Sequence, residues 1–237
     1  MLAIYLKEIT GFFQSLVAYL VLATFFIFCG LILWVLPATN LFDYGFAEPG
    51  VLFTFAPYLF LFLVPAITMR MIAEEKKTGT WELLQSLPLT TWQVLLGKYF
   101  AACTLLAMAL VPFGFYYLAI HSLGSPVGNL DGAGFLTSTV GLWILGCVFT
   151  AIGLFTSSLT TNQITSFLLS AFLCYVGFDG LHQLTQLTQG TLFAQLEYVS
   201  WGYHYESLGR GVVDSRNFLY LFSWIALALQ STRWQFI

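Results

Sequence analysis

VLFTFAPYLFLFLVPAITM at residues 51–69 runs directly into RMIAEEKKTGTWELLQSLPL at residues 70–89, and the reading of this junction decides the fold. The first run is uncharged, and as a helix rising about 1.5 Å per residue it nearly matches bilayer hydrocarbon about 30 Å thick. Pro57 and Pro65 interrupt it, which a membrane helix tolerates when neighbours shield the freed carbonyls. The second run concentrates six of the chain's 8 basic and 11 acidic residues. A helix leaves the membrane here.

Working outward, the same apolar signature recurs along the 237 residues, of which 59% are hydrophobic and only 8% charged. Soluble domains carry roughly a quarter charged residues, so this composition excludes one. Further spans are expected at 16–36, at 99–120 beginning near Trp92, at 135–159, at 164–178 and at 218–232. The fifth is short, about 22 Å as a helix, so something must extend it or thin the membrane. Met1 to Ser15 places Leu2, Leu6, Ile9 and Phe13 at helical spacing opposite Lys7, Glu8 and Gln14, the pattern of a helix lying in the interface. No signal-peptide cleavage site is evident, so the first span is expected to be retained. Residues 180–216 interleave aromatics such as Phe193, Tyr198 and Trp201 with Glu197, His204 and Glu206, which suits an interfacial or re-entrant helical hairpin.

Charge placement orients these spans. Lys7, Arg70, Lys76, Lys77, Lys98 and Arg233 fall on one side and only Arg210 and Arg216 on the other, so both termini are expected in the cytoplasm. The loop with Asp43 and Glu48 then lies outside, and an even number of crossings, six, preserves the asymmetry. The expected fold is an all-α polytopic membrane protein, one transmembrane domain over 1–237, with an interfacial helix at 1–15, a cytoplasmic segment at 70–90 and an external segment at 180–216.

Within 70–90 the punctuation is specific. Gly79 can end the helix leaving the membrane, Thr80 can cap a new one, Glu82 complements its positive end, and Pro88 stops it. Trp81, Leu84 and Leu87 are then free to face bilayer or protein, leaving Glu75, Lys76, Thr78 and Glu82 to a cytoplasmic partner. The bland alternative is a solvated loop.

Other constellations carry less. Cys29, Cys103, Cys147 and Cys174 lie in separate apolar runs and read as small buried hydrophobes. His121, His182 and His204 lack ligand spacing, so no metal site is expected. Ser157, Ser158, Thr160 and Thr161 lack a nucleophile elbow or paired histidine and read as helix caps, so no catalytic residue is expected either. Asp179 fits a membrane boundary better than a mid-membrane pathway. Glu206 and Arg210 can pair at i, i+4, and Asp214 with Arg216 can extend that set; it reads as an external structural lock or as an element of gating or substrate contact. No phosphate-binding loop is present, so no cofactor is expected on this chain, and a net charge of −3 argues against nucleic acid. A channel or secondary transporter is disfavoured by uncharged spans, and a purely structural membrane subunit stays open.

On Arg70, Glu74, Glu75, Lys76, Lys77, Gly79, Thr80, Glu82, Leu83, Leu84, Pro88, Leu96, Gly97 and Lys98, the chain resembles the ABC-2 type permease family. GSPVGN at 124–129, SSLTTNQ at 157–163 and ESLGRGVVDSR at 206–216 look, more narrowly, like its gliding-motility-associated permease subunit. The resemblance implies a bacterial inner-membrane subunit that pairs with a second permease copy or paralogue. It also implies that the helix around Thr80 to Leu87 docks on a cytoplasmic ATPase carrying ATP and Mg, and it leaves room for an auxiliary envelope protein as a further partner. The residues it assigns to ATPase coupling are Arg70, Glu74, Glu75, Lys76, Lys77, Thr78, Gly79, Thr80, Trp81, Glu82, Leu84 and Pro88.

Overall fold

The computed structural model describes residues 1–37, 39–41, 49–125, 130–187 and 197–236, and every regular element in them is helical. Asp43, Glu48, Phe193 and the end of the 124–129 motif lie outside the described residues. In chain order the helices are α1 (Leu2–Phe13), α2 (Leu16–Trp34), α3 (Gly50–Thr68), α4 (Ala73–Thr78), α5 (Thr80–Ser86) and α6 (Thr91–Leu110). They continue with α7 (Phe113–Leu123), α8 (Gly132–Leu159), α9 (Gln163–Tyr175), α10 (Leu181–Leu187), α11 (Trp201–Gly209) and α12 (Ser215–Trp234).

The 28-residue α8 is the axis, packed by α3, α6, α9, α11 and α12. Lipid tails are as apolar as leucine, so such packing rests on close van der Waals contact rather than on escape from water. Two glycines make the contact possible. A Cβ on Gly146 would lie 2.2 Å from Leu106 Cδ2, and one on Gly153 would lie 2.2 Å from Thr68 Oγ1. Around α8, Phe25 stacks between Phe60 and Phe113 at ring-centroid distances of 5.5 and 6.1 Å, while Leu16, Ile27, Phe62 and Leu168 point outward.

Among the described residues, four runs are long and apolar enough to cross a membrane: Gly50–Thr78, Thr91–Leu123, Gly132–Leu159 and Gln163–Thr185. A fifth is counted if Leu2–Phe13 and Ala18–Trp34, bent by 71° to each other, are taken as one. The expected last span, now α12, is long enough but carries Arg216, Asn217, Gln230 and Arg233 and falls outside this set. The short fifth span turns out longer than its sequence suggested: a π-helical turn over Val176–Gly180 carries α9 on into α10. Asp179 therefore sits inside a continuing helix, where Gln183 Nε2 donates to its Oδ2 at 3.2 Å.

The polar segments gather at two ends of the bundle, separated by the length of α3. At one end Phe53, near the start of α3, accepts a 2.8 Å hydrogen bond from the Tyr205 hydroxyl. At the other, Arg70 just past its end reaches Ser15. Met1, packed by Gly97, and Phe236, packed on Trp81, both lie at the Arg70 end.

Candidate functional site

The Arg70 end is assembled around a break in the chain. α3 stops at Thr68, ten residues before Thr78, where the sequence suggested a single helix running to Gly79. A break leaves backbone donors and acceptors without helical partners. Ser157, from the last turn of α8, fills the gap: its Oγ accepts from the N–H groups of Ile72 and Ala73 at 3.2 and 3.0 Å and donates to Met69 O at 3.2 Å. Ser157 thus caps a helix break, but in another element.

α4 then delivers Glu75 inward. Only 8% exposed, Glu75 places Oε2 2.8 Å from Lys98 Nζ and accepts from Lys7 Nζ on Oε1 at 2.6 Å. Lys98, 1% exposed, also donates to Glu8 Oε1 at 2.6 Å and to Met71 O at 2.7 Å. A buried ammonium needs its charge met: Glu8 Oε1 and Met71 O accept its hydrogen bonds, and Glu75 Oε2 adds a close counter-charge at ion-pair distance without a hydrogen bond of its own. Burial alone lowers the Lys7 pKa, but the Glu75 hydrogen bond and the charges of Glu75 and Glu8 outweigh it and leave the group above its ordinary value. The expectation that Glu75 is available to a partner is therefore corrected: its charge is consumed inside the protein.

Gly79 ends α4 with φ +73°, the left-handed conformation that L side chains rarely adopt, and the chain turns straight into α5. Thr80 is the first residue of α5 and not its side-chain cap; its hydroxyl donates back to Glu75 O at 3.3 Å and lies 3.0 Å from the Thr78 hydroxyl. α5 ends at Ser86, two residues before Pro88. Trp81 is buried on Phe236 at a centroid distance of 4.3 Å, and Leu84 is half-buried. Leu87, expected to face bilayer or protein, is exposed, as is Leu83 at 67%. Lys76 is half-buried, its Nζ donating to Ser158 O and lying 5.3 Å from the Phe236 ring centre. Arg70 is half-buried as well.

Of the expected coupling residues, Glu74, Lys77, Thr78, Gly79, Thr80, Glu82 and Pro88 are thus on the surface, and Leu83 and Leu87, which were not in that set, are exposed beside them. Lys7, Glu8, Lys98, Ser157 and Phe236 hold this surface in place and were not in the expected set. Lys98 had a signal, standing in the same motif run; the others are distant in sequence.

The far end holds the second set. Glu206 and Arg210 form the expected i, i+4 pair, with side chains 61% and 72% exposed. Asp214 does not extend it: its Oδ1 accepts from the backbone N–H of Arg216 at 2.9 Å and caps α12. Arg216 is exposed. The pair borders a cleft of about 820 Å³ together with Asp179, Tyr58 and Glu197, and His182 Nδ1 lies 3.2 Å from Glu197 Oε1. The four cysteines are buried free thiols.

Residues 35–189, more than half of the chain, match the profile of the ABC-2 family transporter protein. No curated protein matches the chain closely enough to count as a relative.

Proposed function

The chain belongs to the ABC-2 transporter family, whose members are multi-pass membrane subunits working with a cytoplasmic ATPase, and on that premise we propose that the outer surface of α4 and α5 is where this ATPase docks. The observation that carries the reading is an asymmetry within one short segment. Glu74, Lys77, Thr80, Glu82, Leu83 and Leu87 are exposed, whereas Glu75, Trp81 and Lys76 anchor the segment inward to three separate elements. Such a piece is free to meet a partner on one side and tied to the transmembrane helices on the other.

Movement of α5 on ATP-driven closure then passes by three routes. Glu75 and Lys98 lead into α6, Ser157 and Ser158 into α8, and Trp81 through Phe236 into the end of α12. Packed elements with discrete arrangements transmit displacement in this manner. The chain contributes mechanical linkage, and ATP and Mg bind on the partner.

In this reading α2 and α12 also cross, giving six spans with both termini cytoplasmic. The support is that Met1 and Phe236 lie at the same end as residues 70–90. α1, bent away from α2, lies in the cytoplasmic interface of the inner membrane. A second permease copy completes the pathway, and the motifs at 157–163 and 206–216 favour a gliding-motility-like envelope machine as the load.

Charge reversal of Glu74→Lys with Glu82→Lys touches only exposed carboxylates. It should abolish co-purification of the ATPase while leaving the melting temperature of the permease unchanged. Retained co-purification, or labelling of a cysteine at position 82 from the periplasmic side, would refute the docking surface.

A further inference from the structure

Beside the charge quartet runs a groove of about 430 Å³ between α1 and the chain that leaves α3. Lys7, Gly11 and Ser15, four residues apart, form one wall, and Arg70 with Glu74 lies on the other. Toward Thr78 the groove is polar; toward Ala18, Val21 and Leu105 it is apolar.

Arg70 is its unbalanced group. Its Nη1 donates to Ser15 Oγ at 3.2 Å, but its buried Nε has no hydrogen-bond partner. Glu8 and Glu75 are taken by Lys98 and Lys7, and no carboxylate among the described residues lies within ion-pair distance of the guanidinium. A half-buried cation without a counter-ion is costly, and guanidinium matches phosphate oxygens in geometry. In a groove that is polar at one end and apolar at the other, the complementary anion carries a hydrocarbon tail.

We propose that this groove seats an anionic glycerophospholipid, with its phosphate on Arg70 and an acyl chain along Ala18, Val21 and Leu105. The assignment rests on the reading that this end of the bundle meets the cytoplasmic interface. A zwitterionic lipid offers the same phosphate, but Glu75 and Glu8 are held by Lys7 and Lys98, so its added ammonium meets only Glu74, an exposed carboxylate where an ion pair gains little. It therefore draws less from the groove than a lipid whose net charge answers Arg70. A soluble phosphate fills only the polar end. The bound lipid wedges α1 against the segment that holds Glu75, so the anionic lipid content of the membrane adjusts how firmly that segment is held.

The test titrates the full-length protein in neutral detergent with phosphatidylglycerol, with phosphatidylcholine of the same chains and with glycerol 3-phosphate, reading bound adducts by native mass spectrometry. Phosphatidylglycerol should bind best, and Arg70→Gln should weaken it roughly tenfold, as expected for loss of a charge-assisted contact. Gly11→Leu should displace the lipid with Arg70 intact, because a side chain there grows into space with no atom within 4 Å of its Cβ. Equal binding of the two lipids, binding of glycerol 3-phosphate as tight as that of phosphatidylglycerol, or unchanged binding in both variants would overturn the proposal. The ATPase is absent from this measurement, so such a failure leaves the docking surface on α4 and α5 standing, and loss of that surface leaves lipid binding measurable.

Discussion

The two polar ends of the bundle use oppositely charged side chains in opposite ways. At one end Lys98, 1% exposed, is locked between Glu8 and Glu75; at the other, Arg210 and Glu206 pair with most of their surfaces in solvent. Burial decides what each is worth. A pair in water gains little, because water competes for both charges and two long side chains lose freedom. A buried set has already given up its hydration, so its members depend on one another and losing one strands the rest. The difference teaches that charge density alone does not locate a mechanical joint: the joint is where charges are enclosed and bridge separate helices.

Lys98→Met breaks the comparison at its strongest point. It keeps the volume of the side chain but leaves Glu8 and Glu75 facing each other without a buried cation, and removal of one partner from such a set costs about 3–5 kcal/mol. Thermal unfolding in detergent should show the loss, and a melting curve indistinguishable from wild type would mean that water reaches the quartet. Ser157→Ala is next. It takes the acceptor from two backbone N–H groups and the donor from Met69 O, at a cost of about 1–3 kcal/mol for buried groups left unsatisfied. Hydrogen exchange at Ile72 and Ala73 should rise with it, whereas unchanged protection would show that another group caps the break.

Much of the fold was legible because the membrane imposes it. Uncharged runs of about twenty residues marked α3 and α8 by length and composition, and the glycine at 79 marked a turn that only a left-handed residue makes easily. The extension of α9 was not legible. Its π turn contains Gly177, Asp179 and Gly180, which in sequence read as a helix end, whereas in the structure Gly177 is the place where Trp201, from a remote element, packs too closely for any side chain. Glu75 shows the same limit within the candidate site. Its position in a charged run suggested exposure, since nothing near it in sequence reveals that Lys98 and Glu8 close over it. Thr80 had the right residue type for a cap, yet Gly79 already turned the chain, leaving the hydroxyl to fold back on Glu75 O.

Arg210→Gln sharpens the comparison from the weak side. The substitution removes the cation from an exposed pair and leaves Glu206 in water, so the expected change in stability is about 0–1 kcal/mol, shrinking further as salt rises. Helix α11 should stay in place regardless, because Trp201, Tyr205 and Leu208 bury its other face and the Tyr205 hydroxyl donates to Phe53 O. If transport or ATPase stimulation falls while the melting temperature holds, the pair acts on the 820 Å³ cleft it borders and is a gating element rather than a lock. If instead the protein melts far below wild type, solvent is excluded from this end as well, and the contrast between the two ends disappears.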